Sequence, residues 1–594
     1  MSQESQCIDL PTRLLGPVLR RVEREQWNAF LVLSRPLDLS VQIYTASYRH
    51  DCSFLASSAL KLSESLYVYF LSCDLSANPL PFEEIVYYEI FNAAGHESLS
   101  NELAMDGEKL CSFLLKEEAN VLFGSCRKIH VDREDILAKV YEDQKARSSD
   151  RASLLLMAGD QIYADDVADS ILELIQFWSR RLFDKAECDF KKTIPRAGKR
   201  KKYVKSLGLT TDKGASHLLS FHEYVVMYLL TWSDSLWKLC DWDFSDESKK
   251  NRAGITSFYE ALPGVQKLLA NTPSLMLIDD HDVTDDWNIH GEWYANVWGE
   301  GQADFARFDA SRVLSSAYLA GLIFQMAGNA ELDQSEVKDL GEAYVSYLSG
   351  QSLADYDAMA LFHEVRDMKG HSFVYSPTGR DAYLLMDTRT ERRFVGDSDE
   401  APELLRTERI RDLFVEAKDA ERLILVSPTP IFGLRSAESF QERVSRFKLS
   451  FLKPSILDRE AWSHSEAAFL VLLEELEKHQ AETVICLGGD VHYAFADSVE
   501  FSSGRKLLAL TASPFKNLAT AYPVSRWILN FFASSDVEEL VYPTVSFQQQ
   551  MLKSADDSII LYRPNLVSLN LSNSDYSILE LDEEGDLNRN YYGI

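Results

Sequence analysis

The sequence predicts an α/β protein in two parts, an antiparallel β-sandwich-like module over residues 1–115 and a larger layered α/β domain over 116–594. Three observations carry this expectation. At 594 residues the chain is too long for one simple core, since domains usually run to roughly 100 to 200 residues. Leu37, Leu39, Val41 and Ile43 alternate with Asp38, Ser40 and Gln42, the period of a half-buried strand. From about residue 118 the pattern changes to short, wholly apolar runs that end in Gly or Asp and alternate with amphipathic helical stretches, as in layered α/β proteins.

Taken in order, Leu66–Leu71 (LYVYFL) and Ile85–Phe91 (IVYYEIF) are rich in β-branched and aromatic residues and read as further strands of the first module. Val167, Ile171, Leu174, Ile175, Trp178 and Leu182 recur at helical spacing, and Leu218–Cys240 is a second long helical candidate. Together they predict a helical insertion over about 166–265. It contains the basic cluster Arg196–Lys205 (RAGKRKKYVK), which reads as a solvated loop or as a steering patch for an anionic ligand. Ser463 and Glu466 have capping-box spacing before a helix over Glu466–His479, which leads into a strand at Thr483–Leu487. Leu566–Leu571 and Tyr576–Leu581 are the last strands.

Composition narrows the function. The chain holds 61 basic and 92 acidic residues, a formal charge of −31, which disfavours duplex nucleic acid as a partner. Its eight cysteines contain no Cys-x-x-Cys pair, so neither a disulfide framework nor a zinc ribbon is indicated and a reducing compartment fits. Arg20 and Arg21 are not followed by an apolar signal region, and no run approaches the ~18 apolar residues of a spanning helix. A cytoplasmic location without a transmembrane segment is the expectation. No signature of oligomeric state is present.

Chemistry-bearing residues gather where apolar runs stop: VLFGSCR (121–127), LLLMAGDQIYADD (154–166), LMLIDDHDVTDDWN (275–288) and VICLGGDVHYA (484–494). Strand ends of open sheets face a common crevice. Carboxylates crowded there repel one another unless a cation compensates them, so the pattern points to metal. Asp160 and Tyr163 lie one turn apart, and Asp490 and His492, two apart, share a face if the segment is extended. Cys126 would add a thiolate; that mix suits iron or another transition metal, while an all-oxygen neighbour position accepts calcium, magnesium or manganese. Each residue also has a plainer reading alone: Cys126 as a small buried hydrophobe, Tyr163 as a core aromatic, the Asp279–Asp282 run as cap chemistry. Their conjunction at four strand ends favours the metal.

The set GSCR, GDQIYAD, DDHDVTDDWN and GGDVHYA resembles the PhoD-like alkaline phosphatases, a branch of the calcineurin-like metallophosphoesterases, over about residues 15–585. MDTRTER (386–392) and LVSPTPIFG (425–433) are weaker supporting matches. The resemblance implies a four-layer sandwich, two mixed sheets flanked by helices, behind an N-terminal β-sandwich-like domain. It also implies a binuclear or multinuclear metal centre. Cys126, Asp160 and Tyr163 match the iron-holding positions, Asp160 also bridges toward a second ion (calcium, manganese or magnesium), and Asp280, Asp490 and His492 match further ligands. His281 falls on the histidine that assists the leaving group, and Arg127 and Arg389 read as phosphate contacts or as exposed structural arginines.

The implied activity is hydrolysis of a small-molecule phosphate ester or phosphodiester by metal-activated water. The alternatives are a phosphodiesterase for lipid or polymer diesters and a non-catalytic relict binding protein. Two features depart from the family pattern: no twin-Arg export signal is readable, and Asp282 stands where Glu is common.

Overall fold

The computed structural model describes residues 8–593 except 96, 148–149, 184–192, 299–304, 351–354, 369–370, 395–400, 435–460, 519–528, 530–532 and 534–535. Part of the expected helical insertion, 184–192, therefore lies outside the described residues.

Two antiparallel four-stranded sheets open the chain. One has the order Arg13–Glu23, Gln26–Leu33, Leu66–Asp74, Leu60–Ser63; the other Arg49–Phe54, Leu39–Tyr44, Ile85–Asn92, Cys111–Leu114. The alternation read at Leu39–Ile43 is real: Leu39, Val41 and Ile43 are fully buried. They meet Trp27, Leu31, Tyr69, Tyr88 and Phe113 between the sheets. The opposite face of the first sheet is apolar too, and Leu14, Leu15, Val18 and Phe30 pack into the main core of the molecule. A strand buried on both faces loses the polar alternation, which is why Arg13–Glu23 is absent from the sequence-based list.

Two larger mixed sheets follow. The six-stranded sheet runs Ser274–Leu277, Leu154–Ala158, Asn120–Gly124, Asn565–Asn570, Asp575–Leu581, Leu587–Tyr592, its first three strands parallel. The eight-stranded sheet runs Phe373–Tyr375, Asp381–Leu385, Arg422–Ser427, Thr483–Gly488, Lys506–Thr511, Phe495–Phe501, Ser546–Leu552, Glu538–Val541, with a parallel centre.

Strand alternation assigns the eight-stranded sheet's two faces. Tyr383, Leu385, Ile424, Val426, Ile485 and Leu487 join the core shared with the six-stranded sheet. Ala382, Leu384, Leu423, Leu425, Val484 and Cys486 pack instead on the helices Thr407–Glu416 and Glu466–Lys478. Helices Ile136–Arg147, Asp169–Leu182, Phe221–Trp232 and Lys249–Asn271 bring their apolar faces into the first core. The result is the expected order of layers: helices, sheet, sheet, helices.

Several local expectations are corrected. Helical structure does not end near 265; it resumes after the short strand Ser274–Leu277 with Gly291–Trp298, Phe305–Gly321, Gln334–Leu348 and Asp355–Asp367. The expected helix Leu218–Cys240 is shorter, Phe221–Trp232, because the Ser220 side chain accepts from Glu223 N and caps it. Helix Glu466–Lys478 follows Ser465, not Ser463, and the Ser465 hydroxyl accepts from Leu404 N at 3.2 Å rather than closing a capping box. In the basic cluster, Arg200 is buried and pairs with Glu223 at 2.7 Å, while Lys201, Lys202 and Lys205 line the exposed side of a short helix. Among the described residues no helix is long and apolar enough to cross a membrane.

Candidate metal centre

All four sequence-predicted strand ends open on one place. Asn120–Gly124 delivers Cys126, Leu154–Ala158 delivers Asp160 and Tyr163, Ser274–Leu277 delivers Asp279–Asp282, and Thr483–Gly488 delivers Asp490 and His492. The first three strands belong to one sheet and the fourth to the other, so the site spans the seam between them. Glycines permit the close approach. A Cβ on Gly159 (φ +92°) would stand 2.3 Å from the Asp279 Cβ, and one on Gly489 would stand 2.6 Å from the Ser125 Oγ.

Four residues of the site occupy the left-handed region without being glycine: Cys126 (φ 62°), Asp160 (φ 53°), Asp490 (φ 64°) and His492 (φ 61°). Such backbone costs free energy and clusters where side chains must be aimed. It also corrects one expectation: Asp490 and His492 are not on extended backbone. The turn sends them apart, His492 to Cys126 and Asp160, and Asp490 to Asp160, Asp279 and Asp280.

Three donor sets, each with its ligand atoms within 4.8 Å of one another, share Asp160: Cys126 with His492, Asp280 with His281, and Asp279 with Asp280 and Asp490. Within them, the Cys126 Sγ lies 3.4 Å from Asp160 Oδ2, the Tyr163 hydroxyl donates to Asp160 Oδ2 at 3.2 Å, and that hydroxyl is 2.8 Å from His492 Nε2. Asn517 Nδ2 is also 3.2 Å from His492 Nε2.

The electrostatics are those of a site short of positive charge. Burial, reinforced by Asp160 and Asp490, pushes the Cys126 thiol well up. Burial and the neighbouring carboxylates do the same to Asp160 and Asp490. Burial would raise Asp280 as well, but Arg389 and then His281 outweigh it and hold its carboxyl at about 2. The Arg389 guanidinium donates to Asp279 and stands 3.2 Å from Asp280. Asp280 is thus held low by Arg389 and His281, whereas at Asp160 and Asp490 the opposing charges of His281 and Arg389 do not outweigh burial and the neighbouring carboxylates.

The two imidazoles diverge. His492 is pushed down to about 3 by burial, then by the charges of His281 and Lys128, so it stands neutral with a lone pair to offer. His281 is desolvated too, yet Asp165, Asp280 and Asp160 carry it well above the usual histidine range. Its Nδ1 is 2.7 Å from Asp165 Oδ1, and its side chain keeps 18% exposure against 1% for Asp165, so the ring is anchored inside and presented to the opening.

Of the sequence-predicted site residues, the structure brings together Cys126, Asp160, Tyr163, Asp280, His281, Asp490 and His492. Arg389 joins them, engaged with the carboxylates and fully buried rather than lying open to a phosphate. Arg127 does not join them: its guanidinium pairs with Asp135 at 2.6 Å, donates to Thr231 O at 2.7 Å and lies 4.3 Å from the Phe258 ring centroid. It is structural, as one sequence reading allowed, but buried rather than exposed. Sequence reasoning did not single out Asp279 as a donor, Asp165 as the anchor of His281, or Asn517. Asp165 lies within the GDQIYADD stretch, where its position five residues beyond Asp160 was the available signal.

No protein-family model matches the chain, and no curated protein matches it. Among solved structures, one described as "Structure of PhoD" is similar to it with a TM-score of 0.49 and 12% identity, over 98% of this chain and 93% of that one.

Proposed function

We infer that the chain is a metal-dependent phosphoric ester hydrolase. The observation that carries this reading is the shared carboxylate: Asp160 belongs at once to a thiol–imidazole set and to an all-carboxylate set. A soft-and-mixed position beside a hard, all-oxygen position is the donor chemistry of two unlike cations. Cys126, Tyr163 and His492 would hold iron or another transition metal, and Asp279, Asp280 and Asp490 would hold calcium, manganese or magnesium, with Asp160 between. The donor set fits: raised Asp160 and Asp490 carboxyls and a raised Cys126 thiol are what buried ligands show when no cation offsets them. When bound, such a pair lowers the pKa of water and neutralises phosphoryl charge.

The chain's own groups do the rest. His281, held by Asp165, carries a proton at the exposed side of the ring and gives it to the departing oxygen of the ester. Arg389 pairs with Asp279 and holds the Asp280 carboxyl low, so Asp280 remains an ionised oxygen donor. Tyr163 lies over His281 with ring centroids 4.4 Å apart, which limits the tilt of the proton-bearing ring.

The test is hydrolysis of chromogenic phosphate mono- and diesters by protein purified without chelator and again after chelation and reloading with manganese. Turnover lost on chelation and regained on reloading is expected. Metal binding without cleavage of either ester class would favour a binding protein, and cleavage of the diester alone would make the chain a phosphodiesterase.

A further inference from the structure

We propose that Asp282 is the positioning residue of the metal centre: it coordinates no cation, and instead fixes the distance between the two strand ends that supply Asp160 and Asp279–Asp280. The proposal rests on the metal-centre reading above. Asp282 belongs to the DDHD run, is fully buried, and is in none of the donor sets. Its Oδ2 accepts from Asp160 N at 3.0 Å and from Asp279 N at 3.1 Å, and its Oδ1 accepts from Ile162 N at 3.1 Å. A carboxylate has about four acceptor directions, and three of them are taken by these backbone amides, which aims both oxygens at the chain rather than at the donor sets.

The consequence is geometric. Two of the anchored N–H groups belong to the loop after Leu154–Ala158 and one to the loop after Ser274–Leu277, so one side chain ties together segments more than a hundred positions apart. One of the bonds is to Asp160 itself, whose left-handed backbone (φ 53°) needs such a restraint. Glu in place of Asp282 would add a methylene between backbone and carboxylate and shift the carboxylate relative to the three amides. Asp at 282 is therefore matched to this spacing.

Outer residues that orient metal ligands typically set affinity by about 10- to 100-fold. The experiment titrates metal-free protein with Mn²⁺ alone, reading the free ion by electron paramagnetic resonance, alongside thermal unfolding of the same metal-free samples. Asp282→Asn turns an acceptor into a donor facing a backbone N–H, and is expected to bind Mn²⁺ about 10- to 100-fold more weakly at unchanged stoichiometry. Asp282→Glu keeps the charge but moves the carboxylate off the three amides, is likewise expected to bind Mn²⁺ about tenfold more weakly, and serves if Asp282→Asn does not fold. Unchanged affinity in a folded variant would overturn the proposal, as would a lower melting temperature with unchanged Mn²⁺ affinity. Loss of one bound ion with the other at its original affinity would make Asp282 a ligand and also overturn it. An unaltered protein that binds no Mn²⁺ would remove the metal-centre reading itself, and this proposal with it.

Discussion

His281 and His492 carry opposite charge states within one site because of what faces each. His281 looks toward Asp165, Asp280 and Asp160, while His492 is desolvated and looks toward His281 and Lys128. A protonated imidazole beside a neutral one divides the labour between acid and ligand. His281→Ala should therefore lower turnover by about 10²- to 10⁴-fold on an ester with a poor leaving group, with metal content by elemental analysis unchanged. Undiminished turnover would reassign the acid. Cys126, Asp160, Tyr163, Asp490 and His492 were legible as candidates because each stands just past an apolar run. Arg127 misled because its partner is buried Asp135, and a glance along the chain does not show which arginine will be turned inward. Asp279 was overlooked as a donor since an acid at a strand end also reads as a helix cap, which it is: its side chain and that of Asp282 form a reciprocal capping box.

At the level of elements, the segment Ser513–Asn517 is what joins the two sheets beside the site. Phe515 N donates to Ser125 O at 2.8 Å, Lys516 N to Cys126 O at 3.2 Å, and Lys128 N to Lys516 O at 2.8 Å, so it runs alongside the Cys126 loop and ends at Asn517 against His492. Its lysine is buried, and its ammonium donates to Val131 O and Gly254 O. Burial lowers Lys516 to about 7 from 10.5, with Asp135 opposing. Between pH 7 and 10.5 the unfolded chain then holds a proton that the native chain lacks, so this group makes stability rise with pH across that window. Below pH 7 the penalty is constant. Denaturant unfolding of Lys516→Met should lose this slope, at most about 1.4 kcal/mol per pH unit, relative to the unaltered protein; an identical pH profile would contradict the burial. Nothing in the string SPFKN marked it as a sheet-to-sheet clasp, because its bonds are backbone bonds to a segment nearly four hundred residues earlier. By contrast, the helix at Glu466–Lys478 and the strand at Thr483–Gly488 were readable, since their periods are local.

On the scale of the whole molecule, the four layers follow from strands buried on both faces. Runs such as LLLMA and LILV are apolar throughout, and that signature of a covered sheet is visible in the sequence. The attachment of the first module was not. Its strand Arg13–Glu23 turns Leu14, Leu15 and Val18 into the main core, and Arg20 reaches the carbonyls of Phe324 and Gln325, contacts that join positions about 300 apart. The helical region also outran its expected end, since the strand Ser274–Leu277 that interrupts it is only four residues long. Under the proposed function, the formal charge of −31 favours a small phosphate ester over an extended polyanion as substrate.

The most direct measurement is anomalous X-ray scattering from crystals of the protein soaked in Mn²⁺. Density is expected on both sides of the Asp160 carboxylate, one peak toward Cys126 and His492 and one toward Asp279 and Asp490. Peaks elsewhere in the molecule, or none within reach of Asp160, would contradict the account.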